Sequence, residues 1–170
     1  MAEPEERELF REVQPMHQNM IVRLVMPFES IMVVAIILPL ALGPSRQQWV
    51  ELVLVMIVCG LAFPYWIMTL KLTTVVTDRR LWARFWVIPA RDVPLETITS
   101  VESIKYSPIG DAGGWGVRGS RKFYRVYNVS GDRGVHVRFG EGKRDHFLVG
   151  SRRPDELAEA IELGRFAATS

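Results

Sequence analysis

Residues 49–70 constrain this chain more than any other stretch, being apolar throughout with Glu51 near the start as the one charged side chain. As one continuous helix the run would be about 33 Å long, at about 1.5 Å per residue, against a hydrocarbon core of roughly 30 Å. The sequence therefore predicts a transmembrane helix there. Residues 20–42 are apolar apart from Arg23 and Glu29, and a span over about 21–43 becomes its partner, with Arg23 reaching toward headgroups. Gly43-Pro44-Ser45 and Arg46-Gln47-Gln48 make a connection short enough for an antiparallel hairpin.

Orientation follows from the basic residues. Arg7, Arg11 and Arg23 lie on one side of the hairpin with Lys71, Arg79, Arg80 and Arg84, whereas the connection holds only Arg46. By the positive-inside rule both termini are expected in the cytoplasm, in a multi-pass protein of the inner or plasma membrane. Trp49 then falls at the outer interface and Tyr65-Trp66 at the inner one. Residues 1–19 read as a cytoplasmic leader with a short helix over 4–13. Glu3, Glu5, Glu6 and Glu8 stand where a secretory signal carries basic residues, so the leader is expected to be retained. The lone cysteine, Cys59, excludes an intramolecular disulfide and a cysteine-based zinc site.

Hydrophobic residues make up 48% of the chain and charged ones 24%, and the two populations occupy different halves. The formal net charge of +2 is too small to point to nucleic acid. In the third segment, 71–170, short stretches rich in Val, Thr, Phe, Trp and Ile alternate with turn residues, the signature of antiparallel strands. Strands are expected over 72–77, 81–88, 94–106, 115–120, 123–129, 135–139 and 146–149. Pro154, Asp155 and Glu156 suit the start of a helix, in which Leu157, Ala160 and Ile161 recur at helical spacing. The expected fold is an α+β membrane protein: a two-helix transmembrane hairpin, then a PH-like seven-stranded antiparallel β sandwich or barrel capped by a C-terminal α-helix.

The order of two spans, a strand pair, Gly113-Gly114-Trp115-Gly116-Val117-Arg118, Gly131-Asp132-Arg133-Gly134-Val135 and Gly150-Ser151-Arg152-Arg153-Pro154-Asp155 resembles the bacterial membrane proteins with a PH-like domain. That resemblance covers most of the chain from about residue 20. It implies a cytoplasmic PH-like module and no known catalysis.

The residues themselves point to binding. His17, His136 and His146 have no metal-ligand spacing, and alternation puts His136 outward with Arg138. The glycines before Trp115 lack the Lys-Ser/Thr ending of a phosphate loop, and they permit unusual backbone angles ahead of a strand. No enzyme and no cofactor is expected. Alternation on 81–88 places Trp82, Arg84 and Trp86 on one face, an expected contact with the bilayer or a partner. Trp115, Arg118, Arg121, Lys122 and Arg125 around one hairpin form a second such patch. The expected function is a membrane-anchored, non-enzymatic binding or scaffold module at the cytoplasmic face. Its expected partners are the lipid bilayer and another membrane or cytoplasmic protein or a second copy. The alternative is a small transport or channel accessory subunit using Glu29 and Glu51.

Overall fold

The computed structural model describes residues 6–41 and 46–169. The chain divides into two compact units, Pro15–Leu70 and a second built from Met1–Gln14 with Lys71–Ser170.

In the first unit a 3-10 turn, Met16–Gln18, leads into α1, Met20–Ala41. Asn19 caps α1, its Oδ1 accepting from the Ile21 and Val22 N–H groups at 2.9 and 3.4 Å. Next come α2, Arg46–Ile57, a π-helical turn over Val58–Ala62, and α3, Phe63–Thr69. The interruption has a local cause. Pro64 has no N–H to give the Gly60 carbonyl, which instead accepts the Ser30 hydroxyl of α1 at 2.7 Å.

The run 49–70 is therefore not one helix. Among the described residues, no helix is long and apolar enough to cross a membrane. α2 and α3 are short pieces on either side of the π turn, and α1 carries Arg23 and Glu29 within its length. This corrects the expected transmembrane hairpin over 21–43 and 49–70. The multi-pass inner- or plasma-membrane location deduced from it is corrected with it. Glu3, Glu5, the connection Gly43-Pro44-Ser45 and the side chains of Trp49 and Cys59 lie outside the described residues.

Among the described residues the second unit holds nine strands in two sheets. β1, Glu8–Pro15, β2, Lys71–Thr77, β3, Arg80–Phe85, and β4, Arg91–Pro94, form a sheet in that order. After a turn at Leu95–Thr97 come β5, Ser100–Lys105, β6, Gly116–Ser120, β7, Tyr124–Asn128, β8, Arg133–Arg138, and β9, His146–Gly150. Their order in the second sheet is β5-β8-β9-β7-β6.

The seven-stranded antiparallel expectation fails at three places. The leader forms β1 instead of a helix. The single strand expected over 94–106 is divided by the Leu95–Thr97 turn, so that its two ends serve different sheets. β7 and β9 pair in parallel, Val126 opposite Leu148. The C-terminal helix, α4, spans Pro154–Thr169 and buries Leu157, Ala160 and Ile161.

Leu72, Val76, Leu81 and Phe85 are buried from the first sheet, Tyr127, Phe147 and Val149 from the second. Each such side chain contributes about 1.5–3 kcal/mol. A smaller core of Tyr106, Ala112, Phe123, Val126 and Leu148 joins the second sheet to the loop before β6.

β1 alternates, with Phe10, Glu12 and Gln14 buried and Arg11 and Val13 exposed. Two of its three inward residues are polar, and the chain around the end of β9 and the start of α4 meets them, although Gln14 Oε1 stays buried without a donor. Glu12, 8% exposed, accepts the Ser151 hydroxyl at 2.5 Å and the Arg152 N–H at 3.0 Å. Gln14 Nε2 donates to the Gly150 carbonyl at 2.8 Å. Arg153 Nη2 donates to the Arg11 carbonyl at 2.9 Å, and its guanidinium lies 4.8 Å from the centre of the Phe10 ring. A buried carboxylate that loses a donor bears a desolvation cost of about 1–3 kcal/mol. Ser151→Ala is therefore expected to lower unfolding stability by about that much in urea titration; an unchanged midpoint would rule the clasp out as a stabilising feature.

Candidate functional site

The outer face of β1–β3 is built by the same alternation that fills the core. With Leu72, Val76, Leu81 and Phe85 turned inward, their neighbours are set on the opposite side. The β2–β3 register places Thr73 opposite Arg84 and Val75 opposite Trp82. Just past the end of β3, the Trp86 N–H donates to the Lys71 carbonyl at 2.8 Å while Trp86 adopts a φ of +49°. Left-handed backbone costs an ordinary residue about 1–2 kcal/mol. Arg84 Nε donates to the Trp86 carbonyl at 2.9 Å, which helps to hold that conformation.

These residues, with Arg11 and Lys71, line a cavity of about 350 Å³. Its lining, Arg11, Lys71, Thr73, Trp82, Arg84 and Trp86, contains three cations and no carboxylate. Arg11 is paired with Glu8 outside the cavity at 3.2 Å. Lys71 has no acidic partner among the described residues. Indoles and cations side by side bind anionic groups joined to apolar ones. The lining offers no nucleophile with an adjacent base.

Trp82, Arg84 and Trp86 line one cavity, but the strand expected over 81–88 ends at Phe85, and Val87, expected inward, is exposed. Only Trp82 and Arg84 are placed by alternation, while Trp86 reaches the cavity from the left-handed turn beyond β3. Arg11 and Lys71 were missed. Reading 4–13 as a helix removed Arg11 from any sheet, and Lys71 was read as the flank of a span. An alternation of Phe10, Glu12 and Gln14 against Arg11 and Val13 was the available signal, hidden because polar residues occupy two inward positions.

The second expected patch is less unified. Trp115 is half-buried, and its indole nitrogen is buried without an acceptor. Arg118 Nε donates to the Trp115 carbonyl at 3.2 Å. Lys122 pairs with Asp111 at 3.6 Å and lies 5.1 Å from the Phe123 ring centre, while Arg125 sits 5.9 Å from that of Tyr124. Arg121 is exposed. Most of these cations are thus engaged by their own hairpin and its preceding loop. Gly113 and Gly114, at φ of +70° and +121°, supply the left-handed turn ahead of Trp115.

His136 departs from its expected surface position, being only 7% exposed. Phe123 meets its ring edge-on at 5.3 Å, and its Nε2 lies 3.0 Å from His146 Nδ1. Phe123, in the turn between β6 and β7, covers this part of the sheet face, which strand alternation alone does not reveal. Among the described residues there is no group of three or more side chains able to hold a metal ion. Burial, then the charges of Arg138, His146 and Lys122, lower the His136 pKa to about 4. A depressed folded-state pKa means that the unfolded chain takes up the proton first. The stability this neutral histidine contributes is therefore complete above about pH 6.5 and is lost as pH falls toward 4. Urea titrations across that window are expected to show His136→Gln with a flatter pH dependence than the wild type; parallel curves would contradict the assignment.

Glu29 is half-buried on α1, with Oε2 lacking a hydrogen-bond partner, and Glu51 is exposed on α2. No hydrogen bond or ion pair joins them among the described residues.

The chain matches no family model, and no curated protein or solved structure is similar to it. The resemblance to membrane proteins with a PH-like domain rests on the quoted sequence motifs alone.

Proposed function

We propose that the chain is a non-enzymatic binding module whose β unit docks another protein on the outer face of β1–β3. The cavity joining Trp82 and Trp86 to Arg11, Lys71 and Arg84 carries this reading. Tryptophan and arginine dominate the energetics of protein interfaces, and here both stand on a rigid sheet. The left-handed backbone at Trp86 supports the same reading, because strain of this kind concentrates at functional sites.

Self-association is the second part of the proposal. Leu24, Phe28 and Ile31 on α1, with Leu54 on α2 and Val58 in the π turn, are exposed apolar side chains of the helical unit. Apolar surface of that extent is normally covered by a partner. The accessory-transport reading has no comparable support, since among the described residues no hydrogen bond joins Glu29 to Glu51.

Photocrosslinking in the producing cell tests both parts with the full chain. A benzophenone amino acid at Thr73 is expected to give a discrete protein adduct that disappears when Arg84→Glu or Trp86→Ala is added. Adducts of unchanged yield in those variants would overturn the docking reading. The same probe at Phe28 is expected to give a product of twice the chain mass; adducts to lipid alone would overturn self-association.

A further inference from the structure

We infer that the β1–β3 groove takes an extended acidic peptide segment, one that presents carboxylates on either side of an aromatic or aliphatic side chain. The inference rests on the docking reading above and specifies the chemistry of its occupant.

Charge decides the sign of the ligand. Arg11 comes from β1, Lys71 from β2 and Arg84 from β3, so the cations are spread across three adjacent strands about 4.8 Å apart. The outer two are then separated by roughly 10 Å at the backbone. Cations supplied by three separate strands suit a ligand with more than one anionic group better than a single small anion. On an extended chain side chains two residues apart lie on one side, roughly 7 Å apart, so an apolar residue with a carboxylate two residues before and two residues after it presents all three to the groove, within the sweep of these long side chains. Glu8 offsets only part of the charge at Arg11, through an exposed pair that contributes little by itself.

Arg84 provides the most directional contact. Its Nε is committed to the Trp86 carbonyl. Its two terminal nitrogens make no other hydrogen bond or ion pair among the described residues, which leaves a fork suited to carboxylate oxygens. Trp82 and Trp86 supply apolar walls, and Thr73 a hydroxyl on the floor between them. An aromatic or aliphatic side chain between the carboxylates fills that space.

Shape favours a segment over an enclosed small molecule. Lys71 and Arg84 are exposed, and the groove lies on the face of a sheet, so it does not surround its occupant as small-molecule sites do. Its volume of about 350 Å³ admits side chains of a passing strand and no folded element.

Fluorescence anisotropy with the full chain tests the inference. The probe is a fluorescein-labelled peptide, Asp-Glu-Phe-Glu-Asp, and its control is the neutral isostere Asn-Gln-Phe-Gln-Asn with the same label. The acidic peptide is expected to bind at least about tenfold more tightly than the neutral one at low salt, and the difference is expected to shrink as salt is added. Arg84→Gln and Lys71→Gln are each expected to weaken the acidic peptide by about three- to tenfold, with circular dichroism unchanged because both side chains are exposed. Arg84→Lys is expected to restore part of the loss. Equal binding of the two peptides, absence of binding by the acidic one, or equal binding to wild type and Arg84→Gln would each overturn the inference. The docking reading falls on a different result, the persistence of Thr73 adducts in the Arg84→Glu chain.

Discussion

One buried carboxylate ties the beginning of this chain to its end. Glu12 on β1 is held by the Ser151 hydroxyl and the Arg152 N–H, and Gln14 reaches the Gly150 carbonyl two residues further along the strand. Placing a carboxylate inside a small domain is unfavourable unless donors meet it, and here they come from the turn between β9 and α4. That condition fixes which face of β1 points inward. Since a shift of one residue would turn Glu12 and Gln14 out and Arg11 in, the clasp also sets the register of everything on the outer face.

The candidate site inherits its geometry from that choice. Arg11 faces the groove only because Phe10, Glu12 and Gln14 are occupied on the other side. Lys71 and Arg84 are set by β2–β3 pairing, which places Leu72 and Phe85 together in the core. The strained turn at Trp86 then sets the second indole beside the first at the end of the sheet. Stabilising contacts on one face and the cavity's strand-borne lining on the other are consequences of a single alternation, with Trp86 added by the turn.

Legibility of the sequence followed the strength of that alternation. Along β3 the buried residues Leu81, Ala83 and Phe85 are apolar, so the outward placing of Trp82 and Arg84 is legible in the sequence, whereas the turn that brings in Trp86 is not. Along β1 the buried residues include Glu12 and Gln14, whose partners lie near residue 150, so the strand looked like a polar leader. The run 49–70 misled in the opposite way. Its composition is apolar apart from Glu51, yet Pro64 withholds one N–H and Ser30 donates to the Gly60 carbonyl, so α-helical hydrogen bonding gives way to a π turn where hydropathy shows no change. The histidine pair was hidden by Phe123 of the β6–β7 turn, which covers part of one sheet face, and the β7–β9 parallel pairing by connectivity that local patterns do not encode.

The geometry of the outer face therefore depends on β1 being an integral strand of the β unit. Native-state hydrogen exchange measures this directly, residue by residue. The hydrogen-bonded amides of β1 are expected to exchange with the same opening free energy as those of β2 and β3, in one cooperative unit. Exchange of β1 through a separate, much lower-energy opening, with β2 and β3 still protected, would contradict the claim that the clasp organises the domain and its outer face.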